Sequence, residues 1–595
     1  MLDMSPDELG VDSLVAVDLR SWFLKELTLD IPVLKIFNSR SIRDLLAYAA
    51  NTLPGTLIPK LESHADPMLE GEKVSQTLIP GPARSPEVGG AVHVTDPAIE
   101  NEKEGLTSDG WILSQYHSGG STTSISIGDP ESDAENESIS SMEIGNDVIV
   151  KLKTHVERTL PISFGHSRFW SLQLLDNNKT AFNVTITFNL KGQLRVNDFK
   201  KAIDSLGANH EALRTCFFTS EGKPRQGVLK KSKLQLEHIK ITHASEVEEF
   251  SRKLKMHEFN LSEGEILRIQ LLSLTKDQHW IIIGFHHINM DGISLEILLS
   301  GIEDSYNGAH VAQDTLQYPD YTLRQLREYK NGAWKLDLDY LRARFNDALP
   351  MIPLLPFSLR STRPTVAQFK CHTARIRLDT EISQAIEKCC QIFKTSPMHF
   401  YLTTWQIMVL RLFELNDVCI GFGDGNRGEK DVRHSVGLYF NILPLRFYLR
   451  SSQSFSEAMK ETKISTQDAF SYSRVPFDVI VSELDIPRSI SHNPLTQILF
   501  NYRPKIAQTR SFCGCVANGD LWSGGETAFD LSLDVGNFST GETFVLLSVQ
   551  QGLYEMGHAE MLLRSYYGLL QSFVHNPAVQ VVAPGIYPET PKAMR

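Results

Sequence analysis

The stretch Trp280–Ile302, WIIIGFHHINMDGISLEILLSGI, changes its hydrophobic period partway along, from an unbroken apolar run to a stripe at helical spacing. Trp280-Ile281-Ile282-Ile283-Gly284-Phe285 is short, rich in β-branched residues and bounded by the polar Lys276-Asp277-Gln278, which predicts a strand. Leu295, Leu298, Leu299, Ile302 and Tyr306 predict a helix after it. Between them, His286-His287-Ile288-Asn289-Met290-Asp291-Gly292 forms a polar turn. An imidazole there can exchange a proton near neutral pH, and a nearby carboxylate can fix its tautomer or anchor its loop. Gly292 permits the tight backbone that starts the helix. Adjacent residues at a strand end point to opposite faces, so one of His286 and His287 faces a given cavity and the other is structural. Taken alone, a histidine beside a helix-start aspartate is more often a satisfied core residue than a catalytic one.

With 595 residues, 42% hydrophobic and 22% charged, the chain can bury several cores, and its length suggests three or four compact units. The formal charge of −12 and the absence of a Lys/Arg-dense stripe argue against a nucleic-acid binder, and an anionic surface does not favour acidic membranes. The seven cysteines are scattered, without the pattern of a disulfide framework or of zinc ligation, so no metal is expected. There is neither a signal-peptide apolar region nor a run of spanning length, and a cytoplasmic protein is the expectation.

Along the chain, residues 1–50 carry a helical stripe of Val15, Leu19, Trp22 and Phe23, with Asp12 and Ser13 at its start. A serine at the positive end of a helix suits a phosphodiester; it is equally an ordinary N-cap. Residues 51–155 shift to Ser, Gly, Pro and acidic residues without periodicity, which predicts a disordered, self-repelling linker. Strand and helix patterns resume near Leu160 and restart beyond Leu336. The expected units are therefore 156–335, a second lobe of the same type at 336–580, and a tail at 581–595.

The spacing His286-His287-x-x-x-Asp291-Gly292 resembles the HHxxxDG signature of condensation domains in nonribosomal peptide synthetases, within the HxxxD acyltransferases. Other pieces follow in motif order. Ser163-Phe164-Gly165-His166-Ser167-Arg168-Phe169-Trp170 resembles SxxQxRLW, with His166 for Gln and Phe169 for Leu. His210 to Phe217 resembles RHExLRTxF, with Asn209 for its first Arg. Tyr318-Pro319-Asp320-Tyr321, Ile420 to Arg427 with Val436 to Arg446, Val475-Pro476-Phe477-Asp478 and Asn493 to Asn501 resemble the fourth to seventh motifs. The region around Asp12-Ser13-Leu14 resembles the DSL motif of polyketide acyl carrier proteins, with only a dozen residues ahead of the serine, so the carrier's first helix is expected to be missing. Carrier followed by condensation domain is similar to the end of a fungal highly reducing polyketide synthase, of lovastatin nonaketide synthase type or a polyketide–peptide hybrid. The lack of downstream adenylation, carrier, reductase or thioesterase motifs favours the former.

The resemblance implies an α/β (α+β) fold of two chloramphenicol-acetyltransferase-like lobes in a V, after a truncated helical carrier. It implies a tunnel with His287 midway, and transfer of a polyketide acyl chain from a carrier thioester to an amine, or a hydroxyl, of an acceptor that is free or carrier-bound. The rest of a polyketide synthase is the implied partner. Ser13 would bear 4′-phosphopantetheine. Asp291 is expected to be architectural, paired with Arg214 in the first instance or Arg427 in the second, and Gly292 to offer its N–H to the thioester oxyanion. The alternatives are a non-catalytic gating or release module and a freestanding HxxxD acyltransferase with a soluble acceptor.

Overall fold

The computed structural model describes residues 155–582 apart from 176–178, 310–315, 348, 350, 366–369, 451, 490, 508, 520–526 and 528, together with 41–52 and positions 19, 23, 29, 31, 36 and 39. Ser13 and, of the expected linker 51–155, residues 53–154 lie outside the described residues. Near the N-terminus, helix α1 (Ile42–Thr52) is entered at Ser41, whose Oγ accepts the Asp44 N–H at 3.2 Å. Leu45 and Ala49, one turn apart, close a small apolar cluster with Phe23, Leu29, Ile31 and Ile36.

The chain then runs β1 (Val156–Pro161), α2 (Phe164–Leu175), β2 (Asn183–Lys191), α3 (Val196–Asn209), β3 (Thr215–Ser220), β4 (Lys223–Leu229), β5 (Leu236–Lys240) and α4 (Glu246–Lys255). There follow β6 (Leu267–Ser273), β7 (Gln278–His286), α5 (Gly292–Tyr306), α6 (Tyr318–Lys330), α7 (Lys335–Arg344), β8 (Cys371–Leu378), α8 (Thr380–Phe393) and α9 (Pro397–Leu412). The remainder is β9 (Asp417–Asp424), β10 (Asn441–Tyr448), α10 (Phe455–Ser471), α11 (Phe477–Glu483), β11 (Ile498–Ile506), β12 (Thr509–Phe512), β13 (Cys515–Asn518), β14 (Leu531–Phe538), β15 (Thr543–Gln550) and α12 (Met556–His575).

Two six-stranded sheets, β12-β13-β2-β7-β6-β5 and β10-β9-β11-β14-β15-β8, organise the two lobes, with β1-β4-β3 beside them. The first sheet shows why the run ending in His286 is unbroken. Ile281, Ile283 and Phe285 face the core beneath α3 and α5, while Trp280 and Ile282 pack on the other face against Val247 and Leu254 of α4. Both faces of β7 are covered, so alternation disappears. A Cβ on Gly284 would stand 2.5 Å from Leu254 Cγ, so glycine lets α4 lie this close.

The hairpin β12–β13 pairs with β2, Val516 opposite Lys191 and Asn518 opposite Asn189. A piece of 336–580 therefore completes the first lobe's sheet, and the clean boundary expected at 336 is corrected. A strand's own pattern carries its period but not the identity of its neighbour.

In the second lobe, α9 is buried all round, which its lack of a polar face requires. It begins at Pro397, with proline at the first turn and Ser396 and His399 capping one another's backbone N–H groups. Thr403 and Thr404 satisfy their hydroxyls on the carbonyls of His399 and Phe400, at 2.6 and 2.9 Å. Trp405, Phe400 and Tyr566 of α12 anchor the large core between these helices and the second sheet.

The lobes meet where the segment between β9 and β10 crosses to the first lobe, placing Val436, Leu438, Tyr439 and Phe440 in one cluster with Ile288, Leu295 and Tyr318. Gly437 passes against Tyr318 so closely that a Cβ would stand 2.0 Å from its ring.

Candidate functional site

β7 ends at His286, α5 starts at Gly292, and the turn between them is buried throughout. The two histidines diverge as strand geometry requires. His286 packs edge-on to Phe182 and its Nδ1 accepts the Ile288 N–H at 3.1 Å. Burial, with His287 adding a smaller effect, holds its pKa down to about 3, so it stays neutral and ties the turn to itself. His287 donates its backbone N–H to the Phe182 carbonyl at 2.9 Å, and its ring lies parallel to Phe169, centroids 5.3 Å apart and planes 11° apart. It is 3% exposed, packed within the turn.

Asp291 caps α5, its Oδ1 accepting both the N–H and the hydroxyl of Ser294 at 2.8 Å. Its Oδ2 accepts the backbone N–H groups of Tyr439 and Phe440, at 2.9 and 3.2 Å. Arg427 Nη2 lies 3.0 Å from Oδ1 and 3.3 Å from Oδ2, with its guanidinium 3.8 Å from the Tyr439 ring centroid. Both carboxylate oxygens are held by donors from Ser294, Arg427, Tyr439 and Phe440, which fix the side chain in place.

Arg214, the first-named candidate partner, is elsewhere. It lies 2.8 Å from Glu157 and 3.5 Å from Glu211 and donates to the Leu229 carbonyl, so it secures β1, β4 and the short turn before β3. The ion pair of Asp291 belongs to Arg427. Linear motif order could not decide this, because Arg427 reaches Asp291 only through the crossing segment. Gly292, as the first residue of α5, carries one of the N–H groups that helix geometry leaves without an internal partner.

Three contributors were not singled out in the sequence. Ser294 joins Asp291, Arg427 and Gly437: its Oγ is 2.9 Å from Arg427 Nη2 and 2.7 Å from the Gly437 carbonyl. Tyr439 supplies both an N–H and a ring. Phe169 was visible only as a departure from a motif. Among the described residues no group of three or more His, Cys, Asp and Glu is placed to hold a metal ion, and no helix is long and apolar enough to cross a membrane.

A condensation-domain family profile matches residues 156–594, and a phosphopantetheine attachment-site profile matches 2–49. The polyketide synthase-nonribosomal peptide synthetase ffsA of Aspergillus flavipes is 37% identical across 99% of this chain and 16% of its own length. ACE1 of Pyricularia oryzae, of the same description, is 39% identical across 99% of this chain and 14% of its own length. The chain thus spans a small part of these relatives. Among solved structures, the condensation domain from the Monacolin K polyketide synthase MokA superposes with a TM-score of 0.65 at 25% identity, covering 72% of this chain and all of that one. The X-domain from teicoplanin biosynthesis, at TM-score 0.63 and 18% identity over 71% of this chain and 96% of its own, shares the fold. The chain belongs to the condensation domain family and carries a phosphopantetheine attachment site ahead of that domain.

Proposed function

We propose that this chain joins a polyketide acyl group to an amine acceptor within a fungal polyketide–peptide assembly line. The observation that carries the reading is the turn holding His287, buried and pinned across the lobes through Asp291 and Arg427, in a member of this family. The relatives are hybrid synthetases, which favours the hybrid alternative and an aminoacyl acceptor over a terminal condensation domain. Ser13 is the residue we assign to the phosphopantetheine linkage in the matched segment 2–49.

The acceptor nitrogen attacks the thioester carbonyl; a C–N bond forms and the C–S bond breaks. The nitrogen loses one proton, the departing sulfur gains one, and an amide and a free thiol result. His287 takes the nitrogen's proton or holds the amine in line, and the neutral amine needs little further activation once aligned. Asp291 and Arg427 hold the turn, and Gly292 offers its N–H to the carbonyl oxygen as negative charge develops.

The test uses the full chain with octanoyl-N-acetylcysteamine as donor and leucyl-N-acetylcysteamine as acceptor, reading the amide by mass spectrometry. Product formed by the native chain and lost in His287→Ala supports the reading. Donor binding without product, in the native chain as in the variant, would replace it with a gating module.

A further inference from the structure

Arg168 and Phe169 are consecutive on α2 and reach opposite parts of the molecule. Arg168 Nη2 lies 2.8 Å from Asp478 Oδ2, with the two side chains 4% and 3% exposed. Asp478 sits in the first turn of α11, whose start is fixed by Asn441, the first residue of β10, through an N–H···O bond of 2.9 Å from Phe477. The second lobe thus holds α2 through a buried ion pair. Such a pair is weak evidence for stability, because desolvating both charges offsets most of their attraction, but it fixes where its two elements lie.

Phe169 stacks on His287 as described, and is itself held edge-on by Phe182, centroids 5.3 Å apart and planes at 86°. Phe182 in turn accepts the backbone N–H of His287 through its carbonyl. The ring torsion of a histidine is broad, so the imidazole's plane is not set by its own rotamer and needs a surface to lie on. A phenyl face supplies a flat one. The leucine that the motif leads one to expect here would fill the space without defining a plane. The support comes from α2, and α2 is tied to the second lobe at the adjacent residue.

We propose that Phe169 is a positioning residue for the condensation: its ring sets the plane of the His287 imidazole, and the Arg168–Asp478 ion pair makes that support depend on the placement of the second lobe. This rests on the reading of His287 as the catalytic histidine. A tilt of the imidazole moves its reactive nitrogen off the line of the attacking amine, and misplacement of that size lowers turnover without weakening the binding of either thioester.

The experiment compares the native chain with Phe169→Leu, and with Phe169→Met should the leucine variant not fold, using the same two thioesters. The expected result is a kcat lower by about tenfold to a hundredfold, with KM for each thioester within about twofold. The ring-proton resonances of His287, assigned by their disappearance in His287→Gln, are read in parallel. Loss of the phenyl ring current moves them downfield in Phe169→Leu. Asp478→Asn, checked by thermal melt to be folded, moves them in the same direction by less and lowers kcat by less. If Phe169→Leu lowers the melting temperature and leaves kcat as it was, the proposal is overturned and the stack is packing. If the native chain makes no amide, the catalytic reading fails separately, and the His287 resonances in Asp478→Asn, which keeps the phenyl ring, still decide whether the placement of the second lobe orients the stack.

Discussion

Asp291 and Arg427 form an ion pair of 3.0 Å between the lobes, with side chains 3% and 6% exposed. Each belongs to a different six-stranded system: Asp291 follows β7 of the first sheet, and Arg427 follows β9 of the second. Removing the carboxylate strands a buried guanidinium. Asp291→Ala should therefore cost on the order of 3–5 kcal/mol. Arg427→Met should cost less, since Asp291 keeps its donors from Ser294, Tyr439 and Phe440. Denaturant unfolding of both variants measures the difference. A stable but inactive Asp291→Asn would point to a chemical role for the carboxylate instead.

His287→Ala is expected to abolish amide formation and to lower stability by about 1–2 kcal/mol, because it empties a buried site and removes the stack on Phe169. Product analysis and a thermal melt check the two halves separately. Full product formation by this variant would overturn the catalytic assignment.

Four buried histidines give the fold an acid limit. Burial lowers His166 and His286 to about 3 and His210 and His399 to about 4, against an ordinary value of 6.5. Below 6.5 the unfolded chain binds more protons than the folded one, so their stabilising contribution is complete above that pH. It falls as pH drops toward the folded values, by up to about 1.4 kcal/mol per unit for each group. Asp424 has the opposite sign: burial raises its carboxyl to about 6, so its contribution is present at low pH and is lost as pH rises from 3.8 through 6. His166→Gln, which removes one titrating group, should flatten the decline of melting temperature between pH 6.5 and 5. An unchanged slope would show that His166 is not among its causes.

Gly437→Ala tests the crossing segment. The added methyl would meet the Tyr318 ring, whose hydroxyl donates to the Leu438 carbonyl at 2.7 Å, so either the ring or the segment must shift. We expect a loss of about 1–3 kcal/mol. Activity should fall with it, because the Gly437 carbonyl accepts the Asp291 N–H at 3.3 Å. A melt and an activity assay equal to the native protein's would show that the segment has room to move.

Ser13→Ala should prevent a phosphopantetheinyl transferase from adding mass to the chain, as read by intact-protein mass spectrometry. Unchanged mass addition would place the linkage on another residue of the matched segment 2–49.

The sequence by itself determined the local elements and the order of the motifs. The period change at Trp280–Ile302 marks β7, its turn and α5, and the spacing of His286, His287 and Asp291 points to the family because strand and helix geometry are set by neighbouring residues. Alternation marks β2, and the stripe of Phe199, Ala202, Ile203 and Leu206 marks α3. The tertiary structure decided which arginine meets Asp291, which ring covers His287, and where the hairpin β12–β13 pairs. Arg214 and Arg427 are alike as charges, and only the chain crossing between β9 and β10 brings one of them to Asp291 while Glu157 and Glu211 take the other. Phe169 and His287 lie far apart in sequence, and their parallel rings depend on how α2 docks against the end of β7. Such long-range choices are made by packing and burial across elements, which leave no period in the chain.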